Sequence, residues 1–408
     1  MKYSKKKYMQ LKQKFLYEMD YLSNIGNKMF ICPFIGRSKL SSWCYYLTYG
    51  LICITSLQLF VTLCLTGFKD WFEIINIAPN LGVCLMILIK YGKMHTNRNL
   101  YDDIFQHFRN DLWKAISDSF SHMKILNDYT VITGVIVRFE LYYTIVLAVV
   151  VNLFPRIIMY YENNVLNKEE TYLYPFDGWY PFDKIQWYYT AYIWESFMTT
   201  LVIFIFVFAN MIHISYTRHI CMELKILGNS TERIITEEDV ANMGIENAER
   251  THSNIRRKLK FIITRHQYLA KITSDLEQVL GDAMLLTYSF GSVFICLTAF
   301  TATVVENFYM SLRYFSFFCS LLVEVFVQCI MGQLLMNHSE ELVRAIYFAD
   351  WTRADPGTKK MLLIFLTRAQ KPFRFTAKGY LTMNLDTFSG ICSLSYQFFN
   401  LLHTAYSE

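Results

Sequence analysis

The chain is 408 residues long, of which 53% are hydrophobic, 17% aromatic and only 18% charged. Mean hydropathy is +0.22. A soluble domain carries about a quarter charged residues, so this composition excludes an ordinary soluble enzyme and a disordered chain and points to a membrane protein in a lipid bilayer. The net charge of +5 is not a nucleic-acid signature, because Lys and Arg stand in blocks between apolar runs, as membrane topology requires.

In chain order, Met1 to Lys39 holds nine Lys and Arg and no long apolar run. It is expected to be a polar, partly helical segment rather than a cleaved signal peptide. A crossing helix needs about 20 apolar residues. Leu40 to Phe68 is free of charge, and Ile74 to Ile89 is a shorter stretch containing Pro79 and Gly82. Leu141 to Pro155 extends backwards through Val131 to Val137, across Arg138 and Glu140. Ser196 to Thr217 and Ala283 to Val305 follow, then Tyr314 to Ser339, interrupted only by Glu324, and finally Thr387 to Ser407. The sequence therefore predicts an all-α membrane protein with seven spans.

With the N-terminus inside, the outer loops receive only Lys69, Arg156, Lys168, Lys184 and Arg313, which leaves 34 of the 39 Lys and Arg inside. Loops rich in Lys and Arg stay cytoplasmic. The expected topology is a cytoplasmic N-terminus and an extracellular C-terminus, opposite to a G-protein-coupled receptor. In domain terms this gives a cytoplasmic segment 1–39 and spans one to four over 40–217, with inner loop 91–130 and outer loop 156–186. A cytoplasmic helical loop 218–282, spans five and six over 283–343, a cytoplasmic anchor helix 344–377 and a seventh span within 378–408 complete the chain. The sequons at Asn229 and Asn337 fall on the inner side and are expected to be unused. No outer-loop cysteine pattern suggests a disulfide framework.

Between spans four and five, Leu259, Ile262, Ile263, Leu269, Ile272, Leu276, Val279 and Leu280 recur at helical spacing. This helix is expected to run on into span five. Its stripe either packs into a cytoplasmic bundle or lies on the membrane. The outer loop after span three is dense in aromatics, including Tyr160, Tyr161, Tyr172, Tyr174, Trp179 and Tyr180, with Pro175 and Pro181 around an Asp177-Gly178 turn. That composition fits a lid over a pocket and equally an interfacial aromatic belt.

No Walker loop, His-Glu-x-x-His, paired Cys-x-x-Cys or nucleophile elbow occurs. Neither catalysis, a metal site nor a cofactor is expected. His213 and His219 are six residues apart and fall on different helix faces. Charges inside a membrane raise a functional question; for Glu324 a structural hydrogen bond to a neighbouring helix is favoured over ion conduction. Along the seventh span, Ser389, Ser393, Tyr396, Gln397, Asn400, Thr404 and Ser407 lie within an arc of about 100°. Such a stripe either packs against helices or lines water. A pore would need several copies around an axis.

The C-terminal third resembles the insect odorant receptor family. The stretches that carry the resemblance are Gly332-Gln333-Leu334-Leu335 with Ser339, Ala345-Ile346-Tyr347, Trp351, and Lys360-Met361-Leu362-Leu363-Ile364. Arg368-Ala369-Gln370-Lys371-Pro372, Thr387-Phe388 and Ser395-Tyr396-Gln397-Phe398-Phe399-Asn400-Leu401-Leu402 complete them. The gustatory-receptor spacing of Thr-Tyr and Gln-Phe in the last helix is absent. A transporter would often show an internal repeat, and none is seen. The resemblance implies an odorant-gated, non-selective cation channel subunit in the plasma membrane of sensory neurons, assembled as a heterotetramer with a shared odorant co-receptor. A self-sufficient homotetramer is the alternative. The inner connection of about 54 residues is shorter than the co-receptor's, which makes this chain resemble a ligand-tuning subunit.

For the site, the resemblance implies an apolar pocket for a small volatile organic ligand in the outer halves of the spans. Its expected walls are Asn80 and Cys84 on span two and Val150, Val151, Phe154 and Ile157 on span three. Tyr188, Tyr192, Ser196 and Met198 on span four, and Phe315, Phe318 and Cys319 on span six, complete them. The family pattern places the gate at Leu401 and Ala405, with Phe398 and Thr404 beside them. The polar stripe centres some 100° away, so the two criteria for the pore-facing side disagree. A closed gate should be apolar, which favours the Leu401 flank.

Overall fold

The computed structural model describes residues 5–28, 39–66, 71–116, 119–165, 172–243, 248–305 and 308–407. The elements are α1 (Lys5–Lys28), α2 (Lys39–Thr66), α3 (Trp71–Thr96), α4 (Arg98–Gln106), α5 (Phe120–Asn164), α6 (Tyr188–Glu232), α7 (Glu237–Met243), α8 (Ala248–Val304), α9 (Phe308–Phe348), α10 (Pro356–Ala369) and α11 (Leu385–Ser407). A two-stranded antiparallel hairpin, β1 (Thr376–Ala377) and β2 (Leu381–Thr382), joins α10 to α11. Its turn places Lys378 and Gly379 at positive φ. The sequence reading contained no strand, because two residues per strand carry no periodic signal.

Among the described residues, six helices are long and apolar enough to cross a membrane: α2, α3, α5, the helical run from Tyr188 to Met243, α8 and α9. At 1.5 Å per residue, the 23 residues of α11 span about 35 Å, enough for a hydrocarbon core of about 30 Å. Its polar stripe lowers its hydropathy, not its length. The helices overrun the membrane by far: the 57 residues of α8 reach about 85 Å. That surplus builds a helical bundle at one end, here termed the anchor end. The aromatic loop 172–187 marks the opposite, loop end.

The stripe on α8 is the reason the bundle forms. Leu259, Ile262, Leu269, Ile272, Leu276, Val279 and Leu280 are all buried, and Ile263 half-buried, in one continuous core. The same core takes Tyr101, Ile104 and Phe105 of α4 and Phe108, Leu112 and Phe15. The inner connection 91–130 is largely helical, and its apolar spacing closes one face of α4. α5 begins at Phe120, with Ser119 as N-cap, and runs through the buried Pro155 to Asn164. The span-three and outer-loop boundaries drawn at Pro155 thus fall inside a helix. Neighbouring helices tolerate a proline within a spanning segment. α1 packs against α5, where Arg138 donates to Glu18 at 2.6 Å.

α10 starts at Pro356 behind Asp355, whose side chain accepts from Gly357 N–H at 3.0 Å. Burial opposes ionisation of Asp355, but hydrogen bonds from Thr358 and Gly357 and the Arg256 charge hold its carboxyl below the ordinary range. Deeper in the bundle, Glu223 of α6 is fully buried and accepts from Arg265 of α8 at 2.7 Å and pairs with His107 at 2.9 Å. Tyr268 stacks on the His107 ring. Breaking such a pair strands a buried charge at a cost of about 3–5 kcal/mol. Glu223→Ala is therefore expected to collapse the thermal stability of the purified chain. Lys225→Ala, which removes a surface pair with Glu341 at 4.0 Å, should cost less than about 1 kcal/mol; thermal melts of the two variants check the contrast.

Candidate functional site

The aromatic loop is fastened by one carboxylate. Glu195 of α6 is fully buried and accepts from three successive backbone N–H groups, Phe176, Asp177 and Gly178, each at 3.0 Å. Asp177 adopts positive φ, which turns these amides toward a common point and makes a backbone nest for an anion. The Tyr180 hydroxyl adds a fourth donor at 3.3 Å. Burial first, and the Glu195 charge second, raise the Tyr180 hydroxyl above its ordinary pKa and keep it a donor. Lys184 lies 3.8 Å from Glu195. The loop is also held from other helices: Gln58 donates to Trp179 O at 3.1 Å, Trp179 N donates to Thr62 at 2.8 Å, and Arg313 donates to Pro175 O at 3.1 Å. It thus caps the ends of α2, α6 and α9.

Below the cap, Tyr174, Tyr188, Ala191 and Tyr192 form a separate buried cluster with Met159 and Tyr180 against it. Tyr188 donates to Leu173 O at 3.1 Å, Tyr192 donates to Asn152 O, and Arg156 lies over the Tyr192 ring at 4.4 Å. One turn further, Asn152 Nδ2 donates to Thr200, whose hydroxyl donates to Ser196 O. Among the described residues, Asn152 Oδ1 and Ser196 Oγ remain buried without a hydrogen-bond partner. Unsatisfied buried polar atoms are uncommon and call for an explanation.

The remaining wall residues divide. Cys84 and Met198 are buried in the main core, with Phe318 packed against it. Asn80, Val151, Phe154 and Cys319 are half-buried. Val150 and Ile157 are exposed on an apolar face of α5 shared with Val146, Val149 and Leu153. Phe315 and Phe318 line a cleft of about 370 Å³ with Phe308, Ser311 and Leu312 of α9, Ala299, Ala302 and Thr303 of α8, and Phe399 of α11. Both of its hydroxyl groups are spent on backbone carbonyls, Ser311 on Ala302 and Thr303 on Phe300. Among the described residues the structure distributes the expected wall over several places. It supplies a capped tyrosine cluster on α5 and α6 and an apolar cleft that touches α11.

A polar cluster lies between these sites and the anchor. Lys90 of α3 donates to Glu324 of α9 at 3.0 Å and to Asn210 of α6 at 2.9 Å. Asn210 donates to the other Glu324 oxygen at 2.7 Å, and Gln328 donates to Glu324 at 2.5 Å. Glu324 thus ties three helices together. Glu324 stands out in the sequence inside an apolar run, whereas Lys90 only ends such a run, and its burial comes from packing.

α11 turns one face inward. Ser395 donates to Ser292 O of α8 at 3.0 Å, Ile391 is buried, Phe388 meets Phe326, and Tyr406 meets Phe300. The remaining circumference is open. The polar stripe residues Ser389, Ser393, Tyr396, Gln397, Asn400 and Thr404 are exposed. So are Phe398, Ala405 and Leu401, the last 65% exposed.

The family model described as "7tm Odorant receptor" matches residues 73–396. The chain belongs to the odorant receptor family. It is 29% identical over 150 residues to Odorant receptor 67a of Drosophila melanogaster, a stretch covering 37% of each chain. It is 30% identical over 145 residues to Odorant receptor 49a of the same organism, covering 35% of this chain and 36% of the relative. These matches span little more than a third of each relative's length. The insect olfactory receptor OR5 from Machilis hrabei superposes with TM-score 0.74 at 15% identity, over 94% of this chain and 96% of that one. Its complex with eugenol gives TM-score 0.75 at 16% identity, over 98% and 99%. At such identities the likeness carries the fold, an all-α arrangement of seven transmembrane helices, and makes this receptor a multi-pass membrane protein.

The motif residues that carried the resemblance have structural roles in this odorant receptor. A side chain at Gly332 would run into Met383, so glycine admits the β2–α11 connection. Ser339 accepts from Phe373 N–H at 3.0 Å, and Thr387 donates to Thr382 O at 2.7 Å, fixing the entry to α11.

Glu195→Ala is expected to strand three loop amides. Hydrogen bonds to a charged group contribute about 1.5–3 kcal/mol each, so even one lost means at least about tenfold faster amide exchange at Phe176 to Gly178. Hydrogen-exchange mass spectrometry of 172–187 checks this, with Glu232→Ala as an exposed control at the far end of α6.

Proposed function

We propose that the chain is an odorant-gated, non-selective cation-channel subunit of the plasma membrane, working in a heterotetramer with a shared odorant co-receptor. The observation that carries this reading is the exposure of α11. A helix with both a polar stripe and an apolar flank open along its length needs something other than lipid on at least one side. Copies arranged around an axis provide it, with one flank toward the axis and the other toward a neighbouring chain. The Lys and Arg distribution supports a cytoplasmic N-terminus and anchor end and an extracellular aromatic loop. Exposed Tyr347, Phe348, Trp351, Leu363 and Ile364 at the anchor end supply further apolar contact for neighbouring subunits.

The small volatile ligand binds beneath the aromatic loop, on the α5–α6 side. The tyrosine cluster gives it apolar walls, and Asn152 Oδ1 and Ser196 Oγ give it an acceptor and a hydroxyl that no group among the described residues uses. A ligand with one hydroxyl or carbonyl satisfies them and gains orientation. Opening follows as a population shift: the ligand binds the open arrangement better, and α11 moves at Leu401.

Current recorded from oocytes expressing the chain with and without an insect odorant co-receptor tests the reading. Odorant-evoked cation current is expected only with the co-receptor, and to persist when G-protein signalling is blocked. Current from the chain alone would replace the heterotetramer with a homotetramer, and loss of current on blocking G proteins would reject the channel. In a responding receptor, Ser196→Ala is expected to lower sensitivity to hydrogen-bonding odorants about 5- to 10-fold, near 1–1.4 kcal/mol. Apolar analogues of the same shape should change less than about twofold.

A further inference from the structure

Where α10 ends against α8 at the anchor end, two adjoining clefts of about 370 and 550 Å³ share Ala270, Ser274 and Arg368. Four cations line them: Lys271, Arg368, Lys371 and Arg374. Two carboxylates are present, Asp275 and Glu277, and Glu277 is engaged by the Thr376 hydroxyl. Among the described residues, none of the four cations forms an ion pair or a side-chain hydrogen bond. Elsewhere near the bundle some basic side chains are matched by acid, as Lys93 and Lys378 are by Asp282 at 2.9 and 2.7 Å.

The cations stand on fixed backbone. Phe373 and Phe375 are buried on either side of Arg374, Phe373 N–H donates to Ser339, and Met383 N–H donates to Phe375 O at 2.9 Å. Pro372 restrains the chain between Lys371 and Arg374. A held set of Arg and Lys suits a planar or tetrahedral oxyanion with several charges better than a single chloride. The position is also informative. Ser274 precedes the uncharged stretch of α8 that starts at Ala283 by nine residues, about 13 Å along the helix. The headgroup layer is about 5–8 Å deep on each side, and a surface potential decays over about 10 Å. The cleft therefore lies at the depth reached by a phosphorylated ring projecting beyond the ordinary headgroups.

We propose that this cleft is a binding site for a polyphosphorylated inositol ring, held by Arg368, Lys371 and Arg374 with Lys271 at its rim. The ring comes either from a membrane phosphoinositide or from a free inositol phosphate. Arg374 is followed at once by Phe375, β1 and the turn into α11, so an occupant bears on the backbone that carries α11.

The test is binding of a fluorescent phosphatidylinositol bisphosphate to the full-length chain in phosphatidylcholine nanodiscs, competed by inositol trisphosphate or by phosphatidylserine. Saturable binding is expected, weakened at least tenfold in R368Q/K371Q/R374Q. It should change less than twofold in R344Q/K359Q/K360Q, which removes the same charge away from the cleft. The single variants K371Q and R374Q, each expected to weaken binding three- to fivefold, serve if the triple variant does not fold. Full competition by inositol trisphosphate would assign the site to the free headgroup, and partial competition to the lipid; both support it. Equal loss in the two triple variants, equal competition by phosphatidylserine, or absence of saturable binding would overturn it. This readout needs no odorant and no current, so it fails separately from the channel reading.

Discussion

Hydrocarbon offers no hydrogen bonds, so a carboxylate buried in a membrane bundle has to be answered entirely by the protein. Three buried or part-buried carboxylates in this receptor are answered by protein groups, in the membrane bundle and in the anchor beyond it, and they divide the molecule into levels. Glu195 draws four donors from one loop and closes the loop end. Glu324 gathers Lys90, Asn210 and Gln328 and joins α3, α6 and α9 in the middle. Glu223 holds Arg265 and His107 and locks α6 and α8 to the helical turn 107–111 that follows α4 at the anchor end. Two of the three are on α6, which makes that helix the post from which loop and anchor are both hung.

This arrangement bears on how a signal can pass. The candidate ligand groups, Asn152 and Ser196, sit next to the Glu195 cap, while α11 enters its span through Thr387 and Met383, against Gly332 of α9. Gly332 lies two turns beyond Glu324 on α9. Glu324, bonded to Asn210 of α6, therefore lies on α9 between the cap and the entry to α11. Paired charges in low dielectric resist partial separation, so this junction favours discrete over graded rearrangement. The apolar cleft at Phe315, Phe318 and Phe399 offers a second, more direct contact between α9 and α11.

Much of the fold was legible in the sequence because membrane helices must be long, apolar and flanked by asymmetric charge. The α8 stripe and its continuity into a spanning helix followed from spacing, and the inter-helix hydrogen bonding of Glu324 from its place inside an apolar run. The bounds of α4 within 91–130 were not legible, since its few apolar positions, Tyr101, Ile104 and Phe105, are closed by the tertiary core rather than by a long repeat. The hairpin before α11 was too short to signal. The site was the least legible part. Tyr188, Tyr192 and Ser196 were named for their depth, but Val150 and Ile157 share that depth and face outward, and depth does not fix rotation about a helix axis. Gln58, Asn152, Thr200 and Lys90 were missed because their roles arise from partners 48 to more than 200 residues away.

The account rests on α11 facing the axis of an assembly, with Ile391 and Ser395 turned into its own chain. The most direct measurement is cysteine substitution along 389–405 in the functional channel, with block of odorant-evoked current by a charged thiol reagent. The account predicts rapid block at Leu401 and Ala405, slower block on the polar stripe at Asn400 and Thr404, and none at Ile391 or Ser395. Block confined to Ile391 and Ser395, or no block anywhere on α11, would contradict it.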